Sequence, residues 1–192
     1  MLPDTALWTA TFDALPPLGW VLRKALPERW LRIHSLPGGQ RYPSGANDLC
    51  TLLARHNAVA TAVLGPGAGI VVFAAHHSLS AHRPLPACLR ALTFQVAESV
   101  SIFPIEASDD ADEPRFLSFT AARAVWVAGA FDAIIEAIAQ DTLADVVFFS
   151  VRTRQVYAPY DGGADLVLVD RASRDQVRHT HHAWLSDRAD GL

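Results

Sequence analysis

The chain has 192 residues, 51% of them hydrophobic, and a formal net charge of −4 from 16 Lys and Arg against 20 Asp and Glu. At this length roughly 70% of the unfolded surface can be buried, so one domain can fold without a disulfide or a structural metal. The scattered cations and acidic balance exclude a nucleic-acid surface, which needs a clustered basic stripe, and no apolar run approaches the ~20 residues that cross a bilayer.

Residues 4–26 carry two short helical patterns. Asp4 is placed to cap a helix bearing Leu7, Trp8, Phe12 and Leu15, which Pro16-Pro17 stops. Leu18, Val21, Leu22 and Leu26 form a second stripe that ends before Pro27. Together they predict an N-terminal helical extension, residues 1–27, that lays Trp8 and Trp20 on a single α+β domain spanning 28–192. Few basic residues accompany these stripes, so a membrane-surface helix is not expected. Trp30 to Leu36 alternates as a strand, with Leu31 and Ile33 on one face and Trp30, Arg32 and His34 on the other.

A Pro- and Gly-rich loop, 37–43, leads to a helix that starts near Ser44 to Asp48 and runs to Leu64. Its stripe of Leu49, Leu52, Leu53, Ala60, Val63 and Leu64 includes His56, which reads as a satisfied core histidine. Cys50 on this helix and Cys88 are far apart, the pattern of free buried thiols in a reducing compartment, and the expected location is the cytoplasm. The glycines of 65–69 follow a helix and precede a strand, Ile70 to Ala75, whereas a phosphate loop precedes a helix. His76, His77 and His82 have no carboxylate or Cys at zinc-like spacing, so they read as loop histidines.

From Leu92 to Phe103 the even positions are apolar, broken by Glu98; from Arg115 to Val127 the odd positions are, broken by Arg123. An antiparallel pair that sets Ile102 against Phe119 also sets Glu98 against Arg123. A buried ion pair between them is expected, because an isolated buried charge is too costly. The intervening acidic run Asp109, Asp110, Asp112 and Glu113 lacks the alternating spacing and Gly of a calcium loop. Phe131, Ile134, Ile135 and Ile138 trace a short amphipathic helix.

Residues 145–170 predict a three-stranded meander. Val146, Val147, Phe148, Phe149 and Val151 are β-branched or aromatic, a run that fits a strand covered on both faces. Thr153 and Arg154 turn the chain into Val156 to Tyr160, where Pro159 suits the end of a ladder. Asp161, Gly162 and Gly163 turn it again, with the glycines free to take positive φ. Asp170 or Ser173 caps a last helix, with Val177, His181, Trp184 and Leu185 facing inward and His179 and His182 outward.

The turn Pro159-Tyr160-Asp161-Gly162-Gly163-Ala164-Asp165, set between apolar strands, resembles that of an uncharacterised family of small bacterial proteins known only as a domain of unknown function. Arg32-Ile33-His34-Ser35-Leu36-Pro37, followed by Arg41-Tyr42-Pro43, is similar to a second block of that family. The two blocks cover about a quarter of the chain together with their strands. Members often carry an acidic and a basic residue where this chain has Gly162 and Gly163. The resemblance implies an α+β fold in a bacterial cytosol and brings no catalytic residues.

The element order predicts a mostly antiparallel sheet of about six or seven strands, with helices chiefly on one face and the other face partly open. Two readings of function stand on it. The first is a non-enzymatic module of immunity or regulatory type that binds a protein partner or itself as a homodimer. It is favoured because no nucleophile with its base, no metal set and no cofactor motif stands at recognisable spacing. The second is a small-molecule-binding protein or metal-independent enzyme using His34, with Arg32 or Arg41 as anion anchor and Asp161 orienting the imidazole. The binding residues expected between them are Arg32, His34, Arg41, Tyr42, Tyr160, Asp161 and Asp165.

Overall fold

A computed structural model of the chain describes residues 3–78, 99–105, 115–188 and 191. The helices among them are α1 Pro3–Phe12, α2 Gly19–Ala25, α3 Ala46–Leu64, α4 Asp132–Ala139 and α5 Arg171–Thr180. The strands are β1 Trp30–His34, β2 Gly69–Ser78, β3 Ser99–Ile105, β4 Arg115–Val125, β5 Val146–Ser150, β6 Val156–Tyr160 and β7 Gly163–Val167. They form one antiparallel α+β sheet of seven strands in the order β1-β7-β6-β5-β2-β4-β3.

The meander is the structural centre. Every residue of β5 is buried, and neighbouring side chains serve opposite cores: Phe148 faces one and Phe149 the other. That is the physical reason the run shows no alternation. Arg154 closes the first hairpin at φ +59°, its amide donating to the Ser150 carbonyl. β6 pairs with β5 only at Phe148↔Tyr157 and Phe149↔Val156, so Pro159 lies past the end of that ladder and faces Ala164 of β7 alone.

The second hairpin corrects an expectation: neither Gly162 nor Gly163 takes positive φ. Gly163 is needed for close approach instead. It stands opposite His34 across the β1–β7 ladder, and a Cβ there would run into the carbonyl oxygen of Ile33. The missing side chain admits β1 to the sheet, bringing together segments more than 120 residues apart in sequence.

Helices close both faces. On one, Val59 and Val63 of α3 and Ile134 and Ile138 of α4 pack with Phe148, Tyr157 and Leu166, and Val177 of α5 joins at the margin. On the other, Trp8 and Phe12 of α1 and Leu22 of α2 pack with Phe73, Phe149 and Val156. The Trp8 ring sits 4.9 Å from Phe73 and 5.4 Å from Phe149, edge to face. Burying a side chain of this class contributes about 1.5–3 kcal/mol. Three helices thus lie on one face as expected, but the face predicted to be partly open is covered by the two N-terminal helices. Trp20, expected to pack with Trp8, is instead 47% exposed, because Leu18 and Leu22 take the inward positions of α2. Cys50 is free but exposed on α3 rather than buried, and Cys88 lies outside the described residues.

The expected β3–β4 register is also corrected. Ile102 stands opposite Ser118, not Phe119, and an irregularity between Ser99 and Ile102 shifts the pairing further. Arg123 is exposed, in line with Val71 of β2 and beyond the last described β3 partner, Thr120. Its exposure departs from the buried position expected of it; Glu98, and with it the expected pairing, lies outside the described residues.

Candidate functional site

At the β1 edge of the sheet, the two segments singled out in the sequence close on each other. Arg32 and Asp165 are ladder partners, so their side chains share a face. The guanidinium grips the carboxylate with two parallel bonds, Nε to Oδ1 at 2.8 Å and Nη2 to Oδ2 at 2.9 Å, and Trp30 Nε1 donates to Oδ1 at 2.9 Å. Asp165 is 5% exposed. Burial opposes the Arg32 charge, but the hydrogen bonds and charge of Asp165 outweigh it and raise the guanidinium pKa. The same cation lies 4.3 Å from the Tyr160 ring centroid.

Four residues earlier, Asp161 anchors the loop after β1. Its Oδ2 accepts from Arg41 Nε at 2.6 Å and from the Tyr42 hydroxyl at 3.0 Å. The backbone locks the same corner, since the Ser35 amide donates to the Gly162 carbonyl at 3.0 Å. Asp161 is nearly buried, whereas the Arg41 side chain is 64% exposed, so the carboxylate sets the direction of a guanidinium that faces outward. Tyr160 between the two units is a neutral phenol, its pKa pushed up to about 12 by burial.

These groups line a cleft of about 280 Å³ with Gly19, Trp20 and Arg23 of α2 on one side and Asp141, Leu143, Asp145 and Val146 on the other. Arg32, Arg41, Tyr160, Asp161 and Asp165 all reach it, and Tyr42 joins through Asp161. His34 does not. It lines a separate cavity with Arg55 of α3 and the turn after α5. The expected assembly, with Asp161 orienting His34 beside Arg32 or Arg41, is therefore overturned. Asp161 is taken by Arg41 and Tyr42, and Arg32 is held by Asp165 rather than free to anchor an anion.

The opposite face of the same strands carries a buried polar chain that sequence reasoning missed in part. His56 Nε2 is 2.7 Å from Ser35 Oγ, and His56 Nδ1 is 2.6 Å from the Tyr157 hydroxyl. All three residues are at most 1% exposed. Burial drives the His56 pKa down to about 3 and the Tyr157 pKa well up, so both are neutral. A neutral imidazole has one donor and one acceptor nitrogen, so this chain is satisfied at both ends. The arrangement resembles a catalytic relay in its residue types, but no solvent reaches it, and its role is to hold α3 against β6 and the β1 loop. The position of His56 within an apolar stripe was legible; the identity of its partners was not, since Ser35 and Tyr157 carry no spacing signal. Arg55 was likewise missed.

Among the described residues, no group of three or more His, Cys, Asp or Glu side chains is placed to hold a metal ion, and His179 and His182 are both exposed. The His76 and His77 side chains and His82 lie outside what is described. No helix among the described residues is long and apolar enough to cross a membrane.

Fold and cleft together define an antiparallel α+β protein whose first strand is fastened to its last by paired carboxylates and guanidiniums. The chain belongs to the family described as Domain of unknown function (DUF3885), whose model matches residues 18–189, from the start of α2 to beyond α5. No curated protein and no solved structure matches it.

Proposed function

We propose that the protein is a protein-interaction module of the bacterial cytoplasm that binds an acidic segment of a partner at the rim of the Asp161–Asp165 cleft. The observation that carries this reading is a set of cations held beside exposed aromatic rings. Arg23 and Arg41 line the cleft, and Lys24 and Arg41 lie over two exposed aromatic side chains, Trp20 and Tyr42, while Asp141 and Asp145 stand on the facing side. Lys24 rests over the Trp20 ring at 5.5 Å and Arg23 over Trp30 at 5.9 Å, and among the described residues neither has a carboxylate partner. Trp, Tyr and Arg are the residue types that dominate binding hot spots. Arg41 and Tyr42 are held in place by one nearly buried carboxylate, which lowers the ordering cost of engaging a partner. Among the described residues that line this cleft, no nucleophile stands with an adjacent base, which favours recognition over chemistry there.

Site-specific photo-crosslinkers at Trp20 and Tyr42, with a control at Arg178 of α5, test the reading in the native host. The expected result is a protein adduct from the rim positions alone. Its purified partner should bind more weakly as salt rises and lose binding on Arg23→Glu with Lys24→Glu, while the variant's circular dichroism and Tm are unchanged. Equal adducts from Arg178, or a partner indifferent to charge reversal, would sink it. An adduct with a second copy of this chain would replace the acidic partner by self-association.

A further inference from the structure

The cavity that contains His34 is independent of the rim just described, and its chemistry is different. It measures about 380 Å³ and lies where the end of β1 and the Gly38-Gly39 turn meet α3 and residues 182–188. That volume falls in the range of small-molecule sites, ~300–1,000 Å³. Gly38 and Gly39 take φ of +65° and +70°, a left-handed pair that folds the backbone beside the imidazole with no side chain to fill the space. The far wall is anchored: Trp184 and Leu185 pack against the main core, and Trp184 stacks with His181 at 4.6 Å.

Arg55 is the group that asks for a ligand. It is half-buried on α3, lies 5.2 Å over the Trp184 ring, and spends one N–H on the His34 carbonyl oxygen at 3.2 Å. Among the described residues it has no carboxylate partner, unlike Arg32 and Arg41, the two guanidiniums of the cleft that are held by aspartates. A guanidinium partly withdrawn from water, with donors left over and a cavity in front of it, matches the planar fork that carboxylates and phosphates take. Arg188 and Ser186 add a second cation and a hydroxyl to the lining, and Asp187 is the acidic residue among the lining groups.

We propose that this cavity binds a small-molecule oxyanion, a metabolite whose carboxylate or phosphate group is gripped by Arg55 and faced by His34. The His34 pKa is lowered by burial first, then by Arg32 and Arg55, with Asp187 acting in the opposite sense; His182 and Arg188 are the other titratable groups of the cavity lining among the described residues. An anion beside the ring reverses that balance. Binding therefore takes up a proton at His34 and strengthens as pH falls from 8 to 6.

Calorimetry and thermal-shift titrations on the full chain, using succinate for the carboxylate class and glycerol phosphate for the phosphate class, test this against chloride at matched ionic strength. The expected result is saturable binding of at least one probe, weakened roughly tenfold or more by Arg55→Met, which keeps the stem over Trp184 but removes the charged hydrogen bonds. Which probe binds identifies the class. Arg23→Glu with Lys24→Glu leaves this binding unchanged, so the site stands or falls separately from the partner rim. The native protein supplies a readout that needs no variant: saturating probe raises the His34 imidazole pKa measured by NMR, and His34→Gln flattens the pH dependence. Absence of saturable binding by both probes, wild-type affinity in Arg55→Met, or an unmoved His34 titration would each overturn the proposal.

Discussion

Two polar networks built from the same strands behave as opposites. On the α2 face, Arg32, Asp165, Arg41 and Asp161 form a charged assembly that opens on a cleft; on the α3 face, Ser35, His56 and Tyr157 form a neutral chain sealed from solvent. Alternation along β1, β6 and β7 puts them back to back. The lesson is one of matching: where the strands border water, paired charges are kept and their outer groups remain usable. Where they border α3, ionisation is suppressed and only a satisfied hydrogen-bond chain survives.

Gly163→Ala strikes both networks at once, because its Cβ collides with the Ile33 carbonyl and expels β1. A loss on the order of 5 kcal/mol or more is expected, read as failure to give a cooperative thermal transition. Arg32→Met separates the two. It leaves Asp165 buried without its cation and should cost about 3–5 kcal/mol in denaturant unfolding, while the His56–Tyr157 chain stays intact. That persistence is checked by the NMR shifts of the His56 ring.

The neutral network is addressed by acid. The folded pKa of His56, about 3, lies below its unfolded value of about 6.5, so the unfolded state binds the extra proton in between and stability rises with pH there. The stabilising contribution is complete above about pH 6.5 and fades on acidification, by roughly 3 kcal/mol at pH 4. His56→Gln should remove that slope from a pH series of urea midpoints. Tyr157→Phe orphans one ring nitrogen and costs about 1–3 kcal/mol. Smallest of all, Arg41→Met lowers the Tm only slightly, since this guanidinium is largely in solvent and the Tyr42 hydroxyl still donates to Asp161; its main effect belongs to partner binding.

The element order, the meander and the mostly antiparallel character were legible because periodicity reports which face of a segment is buried. Arg32 and Asp165 were both named from their segments, yet their pairing was invisible, since ladder partners so far apart leave no spacing signal. The same limit hid the Ser35–His56–Tyr157 chain and misassigned His34 to the wrong cavity: alternation gives the side of a strand, not what the twist of an edge strand brings beside its last residue. The covered second face was missed because α1 and α2 look like an appendage until the continuous apolar run of β5 is seen to need a lid on each side. The offset in β3–β4 followed from an irregularity that pattern counting does not register.

The pairing of β1 with β7 also governs how the protein is made. A ribosome delivers Trp30 to His34 long before Gly163 to Val167 exist, so among the described residues the first strand has no ladder partner until most of the chain has been synthesised. Contacts this distant along the chain slow folding, and the nascent product must wait, greasy stripes unmatched, for its own tail. Prematurely terminated copies ending before Gly163 lack the only strand that pairs with β1 among the described residues, and quality-control proteases are their natural fate.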